Sequence, residues 1–164
     1  MFRKADNKHY ALNLLIQKYQ KQNYWHVRHI VIDHDDTNDV VQNTFIKVWK
    51  NLEGFREDSR FYTWLYRIAT NEAINFLKQK RSGFLIPYKD IEGQLAVSLK
   101  EDPYFNGNEI QLKLQKAILT LPEKQRIVFN MKYFEGVKYE DMAVILNTSV
   151  GALKASYHIA VNKI

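Results

Sequence analysis

The sequence contains no cysteine, which excludes a disulfide framework and any thiolate metal site. Proline occurs 3 times and glycine 6 times in 164 residues, so long helices are expected in place of many short strands and turns. No apolar run approaches the ~18 residues that a membrane span needs. The first residues, MFRKADN, are charged where a secretory signal would be apolar. Membrane insertion and a signal peptide are therefore not expected, and the expected compartment is the cytoplasm. There is no Gly-rich phosphate loop. His26 and His29 lie three apart but have no third ligand nearby in sequence, and read as surface or packing residues. The acidic run at 33–39 lacks the spacing and central glycine of a calcium loop and reads as a helix start. Nothing here points to catalysis, so no enzyme, cofactor or metal site is expected.

What is present is apolar and basic. A hydrophobic content of 46% rules out wholesale disorder. A net charge of +6 and a pI near 9.4 favour a polyanionic partner. The charge is uneven: residues 64–81 carry four basic groups and one acidic, residues 110–164 eight and four, and residues 82–109 two and five. Two basic blocks thus flank an acidic connector.

The chain is organised around residues 61–81. Leu65, Ile68, Ala69, Ala73, Phe76 and Leu77 recur at spacings of three and four, the mark of a buried helical stripe. A second line, Trp64, Arg67, Asn71, Asn75 and Lys78, has the same spacing. Amides read base edges, cations hold phosphates and aromatics stack on unpaired bases. Just upstream, the polar loop Arg56-Glu57-Asp58-Ser59-Arg60 can accept a base turned out of its stack. An ordinary amphipathic helix with a solvated polar face remains the alternative.

Helices are also expected over 7–33 and 39–52, the first with Tyr10, Leu14, Leu15, Tyr19, Trp25, Val27, Ile30 and Val31 apolar. Asp36, Thr37 or Asn38 is the expected cap of the second. Its inner stripe is Val40, Val41, Thr44, Phe45, Val48 and Leu52. Asp39, Gln42, Asn43, Ile46, Trp49 and Lys50 lie towards the other side. Two large apolar groups facing outward, Ile46 and Trp49, suit an anchor for a protein partner; the alternative is that Trp49 packs on the first helix.

Residues 82–108 read as a linker with turn signals. Beyond it, Leu112 to Leu121 fit one helix and Pro122 opens another over 123–133. A short helix at 139–146, a tight turn, an N-cap at Ser149 and a last helix at 150–163 match the helix-turn-helix pattern. Met142, Ala143 and Leu146, then Val150, Leu153, Tyr157 and Val161, are expected to face inward. The expected fold is all-α: a helical domain at 1–81, the linker at 82–108, and a helix-turn-helix domain at 109–164.

DVVQNTFIKVW at 39–49, FREDS at 55–59 and FYTWLYRIATN at 61–71 resemble region 2 of the extracytoplasmic-function (ECF) sigma factors. LPEKQR at 121–126, YEDMA at 139–143 and TSVGALK at 148–154 resemble their region 4. The resemblance implies a bacterial transcription initiation factor without catalytic activity. Its region 2 would dock on the β′ clamp coiled coil of core RNA polymerase through Asp39, Gln42, Asn43, Ile46, Trp49 and Lys50. It would melt the −10 element with Arg56, Asp58, Ser59, Arg60, Phe61, Tyr62, Trp64, Arg67, Asn71, Asn75 and Lys78. Region 4 would bind the β flap and read the −35 element with Ser149, Gly151, Lys154, Ala155, Ser156 and His158. An anti-sigma factor or an accessory DNA-targeting factor is a further implied partner. Two positions depart from the family pattern. Asn43 stands where an acid is usual, and the last helix has Ser156 and Ile159 where arginines are common. The competing reading is a stand-alone helix-turn-helix regulator, which would bind a symmetric operator as a dimer and would have no use for the aromatic loop and helix at 56–81.

Overall fold

The structure, a computed structural model, describes residues 5–55, 60–83 and 108–164. Loop positions 56–59 and nearly all of the expected linker lie outside the described residues. Those described form seven α-helices: α1 (Ala5–Val31), α2 (His34–Asn51), α3 (Phe61–Gly83), α4 (Glu109–Leu119), α5 (Glu123–Tyr133), α6 (Tyr139–Leu146) and α7 (Val150–Lys163). A 3₁₀ turn, Leu52–Gly54, follows α2.

The break between α1 and α2 is sharper and earlier than the sequence predicts. Ile32 takes φ +73, a left-handed conformation that a β-branched residue rarely adopts. It is held there by burial of its side chain and by its N–H donating to Arg28 O at 2.8 Å. Asp33, rather than Asp36, Thr37 or Asn38, is the cap. Its carboxylate accepts from Asp36 N at 3.0 Å, and Asp35 and Asp36 in the first turn suit the positive end of the helix dipole. The acidic run is thus a helix start, but of a helix beginning at His34. Three of the apolar residues at helical spacing on α1 are exposed: Tyr10, Leu14 and Trp25.

α1, α2 and α3 pack as one unit. At one end Val48, Leu52 and Leu65 are buried among Leu12, Leu15, Tyr19, Phe45, Phe61, Trp64 and Ile68. α4 to α7 form a second unit, with Ile118, Leu121, Phe129 and Ala160 clustered. On α7 the inward residue of the last turn is Ala160, not Val161, which is exposed. The two units are not separate bodies. A single apolar cluster contains Val27, Ile30, Val31, Tyr66, Ala69, Ala73 and Leu77 from the first, and Ile127, Val128, Met131, Met142, Ile145 and Leu153 from the second. Each fully buried Ile, Leu or Met contributes about 1.5–3 kcal/mol, so this shared core is a main element of stability. No described helix is long and apolar enough to cross a membrane.

Candidate nucleic-acid interface

Three surfaces carry the residues singled out above. On α2, Asp39, Gln42, Asn43, Ile46 and Lys50 are all exposed, as positions three and four apart on one helical face should be. Trp49 is half-buried. Its ring lies 4.4 Å from that of His9 on α1, and Lys8 Nζ sits 4.5 Å over it. The packing alternative therefore holds in part: one edge of Trp49 rests on α1. The rest borders a groove of about 540 Å³ with Leu12, Ile16, Phe45 and Ile46. An apolar slot rimmed by Asn38, Gln42 and Gln20 is the shape that takes side chains from a partner helix.

On α3 the two sequence-read lines separate. Leu65, Ala69, Ala73 and Leu77 are buried, while Arg67, Asn71, Asn75 and Lys78 are exposed. Trp64 leaves the polar line. It is half-buried against Phe55 at 4.9 Å and Phe61 at 5.6 Å, so its ring packs on these neighbours rather than standing free. Phe61 packs on Tyr19 at 5.5 Å, and Tyr62 on Tyr66 at 4.3 Å. Burial, and then the Glu135 carboxylate, push the Tyr62 phenol up to about 12. It stays protonated and uncharged at neutral pH, and so can donate a hydrogen bond. Arg60 is exposed at the start of α3, its carbonyl accepting from Trp64 N. Arg56, Asp58 and Ser59 lie outside the described residues.

On the helix-turn-helix, Asn147 ends α6 in a left-handed conformation (φ 50, ψ 52), which its short polar side chain tolerates. Thr148 N donates to Ala143 O at 3.1 Å, closing the turn. Ser149 then caps α7, its hydroxyl accepting from Ala152 N at 3.2 Å. Gly151, Lys154, Ala155 and His158 are exposed and Ser156 is half-buried. Lys154 lies 5.7 Å from the Tyr139 ring, and His158 shares a hydrogen bond with Asn162. From Val150 to Asn162, Lys154 is the only lysine or arginine. Such a face can neutralise few phosphates.

The fold brings the second and third surfaces together. Asn71, Asn75 and Lys78 of α3 and Asn147, Thr148 and Ser156 of the helix-turn-helix line one cleft of about 690 Å³. The groove on α2 shares no lining residue with it.

Sequence reasoning missed the residues that join the halves: His26, Thr70, Arg126, Asn130 and Glu135. All but Glu135 are deeply buried polar groups. A polar residue at a core position of a helical repeat was the available signal, though it names no partner.

Relatives are in keeping with this architecture. Residues 15–83 match the Sigma-70 region 2 family and residues 111–164 the Sigma-70 region 4 family. These two regions in this order define a sigma factor, a promoter-directing subunit of RNA polymerase. The chain is 36% identical over 155 residues to the RNA polymerase sigma-H factor of Pseudomonas aeruginosa, covering 88% of this chain and 79% of that one. It is 34% identical over 165 residues to the ECF RNA polymerase sigma-E factor of Escherichia coli, covering 93% and 82%. The protein belongs to the ECF sigma factors. Two solved structures share its fold. CnrH, in complex with the cytosolic domain of CnrY, superposes with a TM-score of 0.68 at 23% identity over 94% of this chain and 85% of that one. The sigma factor RpoE of Bartonella quintana, in complex with the anti-sigma factor NepR, gives 0.72 at 20% identity over 92% of each.

Proposed function

We propose that this sigma factor divides its work among the three surfaces. The outward face of α2, from Asp39 to Lys50, seats on core polymerase, with Ile46 and the free edge of Trp49 as anchors. Arg67, Asn71, Asn75 and Lys78 on α3, with the loop before it, hold the opened −10 strand. The amides contact base edges and the cations contact phosphates. The capped start of α7, with Ser149, Gly151, Lys154, Ala155, Ser156 and His158, approaches the −35 duplex. In this reading the domains are 1–81 and 109–164, joined through 82–108. The protein carries no chemistry of its own and works in the cytoplasm. An anti-sigma protein is a fitting further partner, since the two solved structures named above are each in complex with a partner protein.

The observation that carries the reading is the split of α3 into a buried apolar stripe and an exposed line of cations and amides. A stand-alone repressor would have no use for that line or for the apolar groove on α2. The test is in-vitro transcription with core polymerase. Trp49→Ala should weaken core binding by about 2 kcal/mol, as loss of an aromatic anchor does, and the chain should remain folded. A variant that competes for core as well as the wild type assigns Trp49 to packing on His9 alone. Sequence-specific binding of promoter duplex by the free chain, as tight as that of the holoenzyme, would favour the repressor.

A further inference from the structure

The joint between the two halves sets α3 across from the helix-turn-helix. Arg126 Nη2 of α5 donates to Ile30 O at 3.4 Å, and the Glu135 carboxylate accepts from His26 Nδ1 at 2.8 Å. Burial pushes the Glu135 carboxyl up, but the neighbouring His26, and then His29, outweigh burial and hold it at about 2. Between α3 and the second half lies the cleft of about 690 Å³. Its lining divides into three kinds of group. Ile74 and Leu146, half-buried, with Ile127, Val128 and Leu153, buried, supply an apolar floor. The side-chain amides of Asn71, Asn75 and Asn147 are exposed, and none is bonded to another described residue. The charged groups are not all matched. Glu72 pairs with Lys47, and Glu123 with Arg81. Lys78 and Lys124 also line the cleft, exposed, and neither has a carboxylate partner among the described residues.

We propose that this cleft is a binding site for a nucleoside triphosphate. A base needs an apolar surface against its flat face and amides at its edge, where an asparagine side chain both donates and accepts. Phosphates need cations that are not already paired. The cleft offers all three, and its volume falls among small-molecule sites, which run from about 300 to about 1,000 Å³. Other ligand classes use it less fully. Sulfate or a dicarboxylate would engage the lysines and leave the floor and the amides idle. An uncharged apolar ligand would leave Lys78 and Lys124 unused. The contacts come from α3 on one side and from Lys124 and Asn147 on the other, so the nucleotide bridges the two halves. The site stands without the reading of α3 as a DNA-binding face. Where that reading also holds, Asn71, Asn75 and Lys78 serve both ligands, and the nucleotide and the opened strand exclude one another. Lys124 and Asn147 belong to the nucleotide site alone, which keeps the two assignments separable.

Titration calorimetry on the full chain tests the site, with ATP and GTP as the ligands and with inorganic triphosphate and adenosine as controls. One molecule of either nucleotide should bind per chain, and the thermal midpoint should rise with its concentration. Triphosphate and adenosine each meet only part of the site and should bind about tenfold more weakly. Lys124→Ala should weaken nucleotide binding about tenfold and Asn147→Gly about fivefold, the losses expected for one charge-assisted and one neutral hydrogen bond. Glycine keeps the left-handed backbone at position 147. Promoter melting by holoenzyme carrying either variant should match the wild type, since neither residue is assigned to DNA. Failure to bind either nucleotide at millimolar concentration overturns the proposal. So does triphosphate that binds as tightly as the nucleotides, which would reduce the cleft to a patch of positive charge. Nucleotide binding that both variants leave intact would also overturn it, by moving the ligand elsewhere. The assignment of α3 to DNA is checked separately, by promoter melting with an Asn75→Ala, Lys78→Ala holoenzyme. Normal melting there would sink that assignment, while the calorimetry would still report on the cleft.

Discussion

α3 and α7 each present a face assigned to promoter DNA, and the two faces are built differently. α3 offers Arg67 and Lys78 with two amides between them, all exposed along one line. The corresponding face of α7 offers Lys154, His158, small residues and the Ser156 hydroxyl. α3 can therefore contribute both counterion release and base contacts. α7 can contribute little charge, and its value lies in a well-capped N-terminus and a close approach. If the two faces meet promoter DNA as proposed, the strong contact is made where strands are opened, and the weak one gains strength from tethering through polymerase.

The largest expected effect tests the stronger face. Asn75→Ala with Lys78→Ala should reduce open-complex formation by about 2–4 kcal/mol with core affinity kept, since one bidentate base contact alone contributes about 1–3 kcal/mol. Permanganate reactivity of the −10 region measures it, and normal opening would place this line in solvent. Next is the contact between Glu135 and His26, 2.8 Å apart across the two halves. Glu135 is depressed from 4.5 to about 2, so its stabilisation is fully present above pH 4.5 and is lost as pH falls towards 2. The urea midpoints of wild type and Glu135→Gln should differ by up to about 3 kcal/mol in stability at pH 6, and should converge below pH 4.5. A constant gap would show that the carboxylate's charge is not what matters.

A smaller effect concerns the thin charge of α7. The region 4 contribution to binding should show a salt slope of only one or two counterions, in place of the six or more of strongly basic binders. Ser156→Arg with Ile159→Arg should steepen that slope. Because region 4 shares its core with region 2, the comparison is best made in holoenzyme, with and without the −35 element. A steep slope in the wild type would mean that another face of α7 meets the DNA. The smallest effect is at Gly151, where an added Cβ would meet nothing within 4 Å. Gly151→Ala should raise stability by about 0.5–1 kcal/mol. If it also weakens −35 binding, the glycine is there for backbone approach to DNA; if binding is unchanged, it is incidental.

Local signals made two helix starts of the C-terminal half legible, though not the start of α4 at Glu109 or the inward place of Ala160. Pro122 and Ser149 mark helix starts, and the turn at Asn147 closes on backbone bonds that polar residues favour. The α1–α2 boundary was misplaced because its stop is Ile32 in a left-handed conformation, a residue whose type argues against that geometry. Trp64 was assigned to the polar line by spacing alone; three-dimensional packing on Phe55 and Phe61 takes it out. The joint was illegible for a different reason. His26 and Glu135 are 109 positions apart, and neither periodicity nor capping carries information over that range.

The shared apolar cluster has a consequence for any partner that parts the halves. Separating the halves would wet Val128, Met142 and Ile145, turning one well-behaved solute into a chain with two bare oily patches. Such a species is prone to aggregation and proteolysis unless something covers it at once. Any partner that draws the halves apart must therefore cover that apolar surface in the same step.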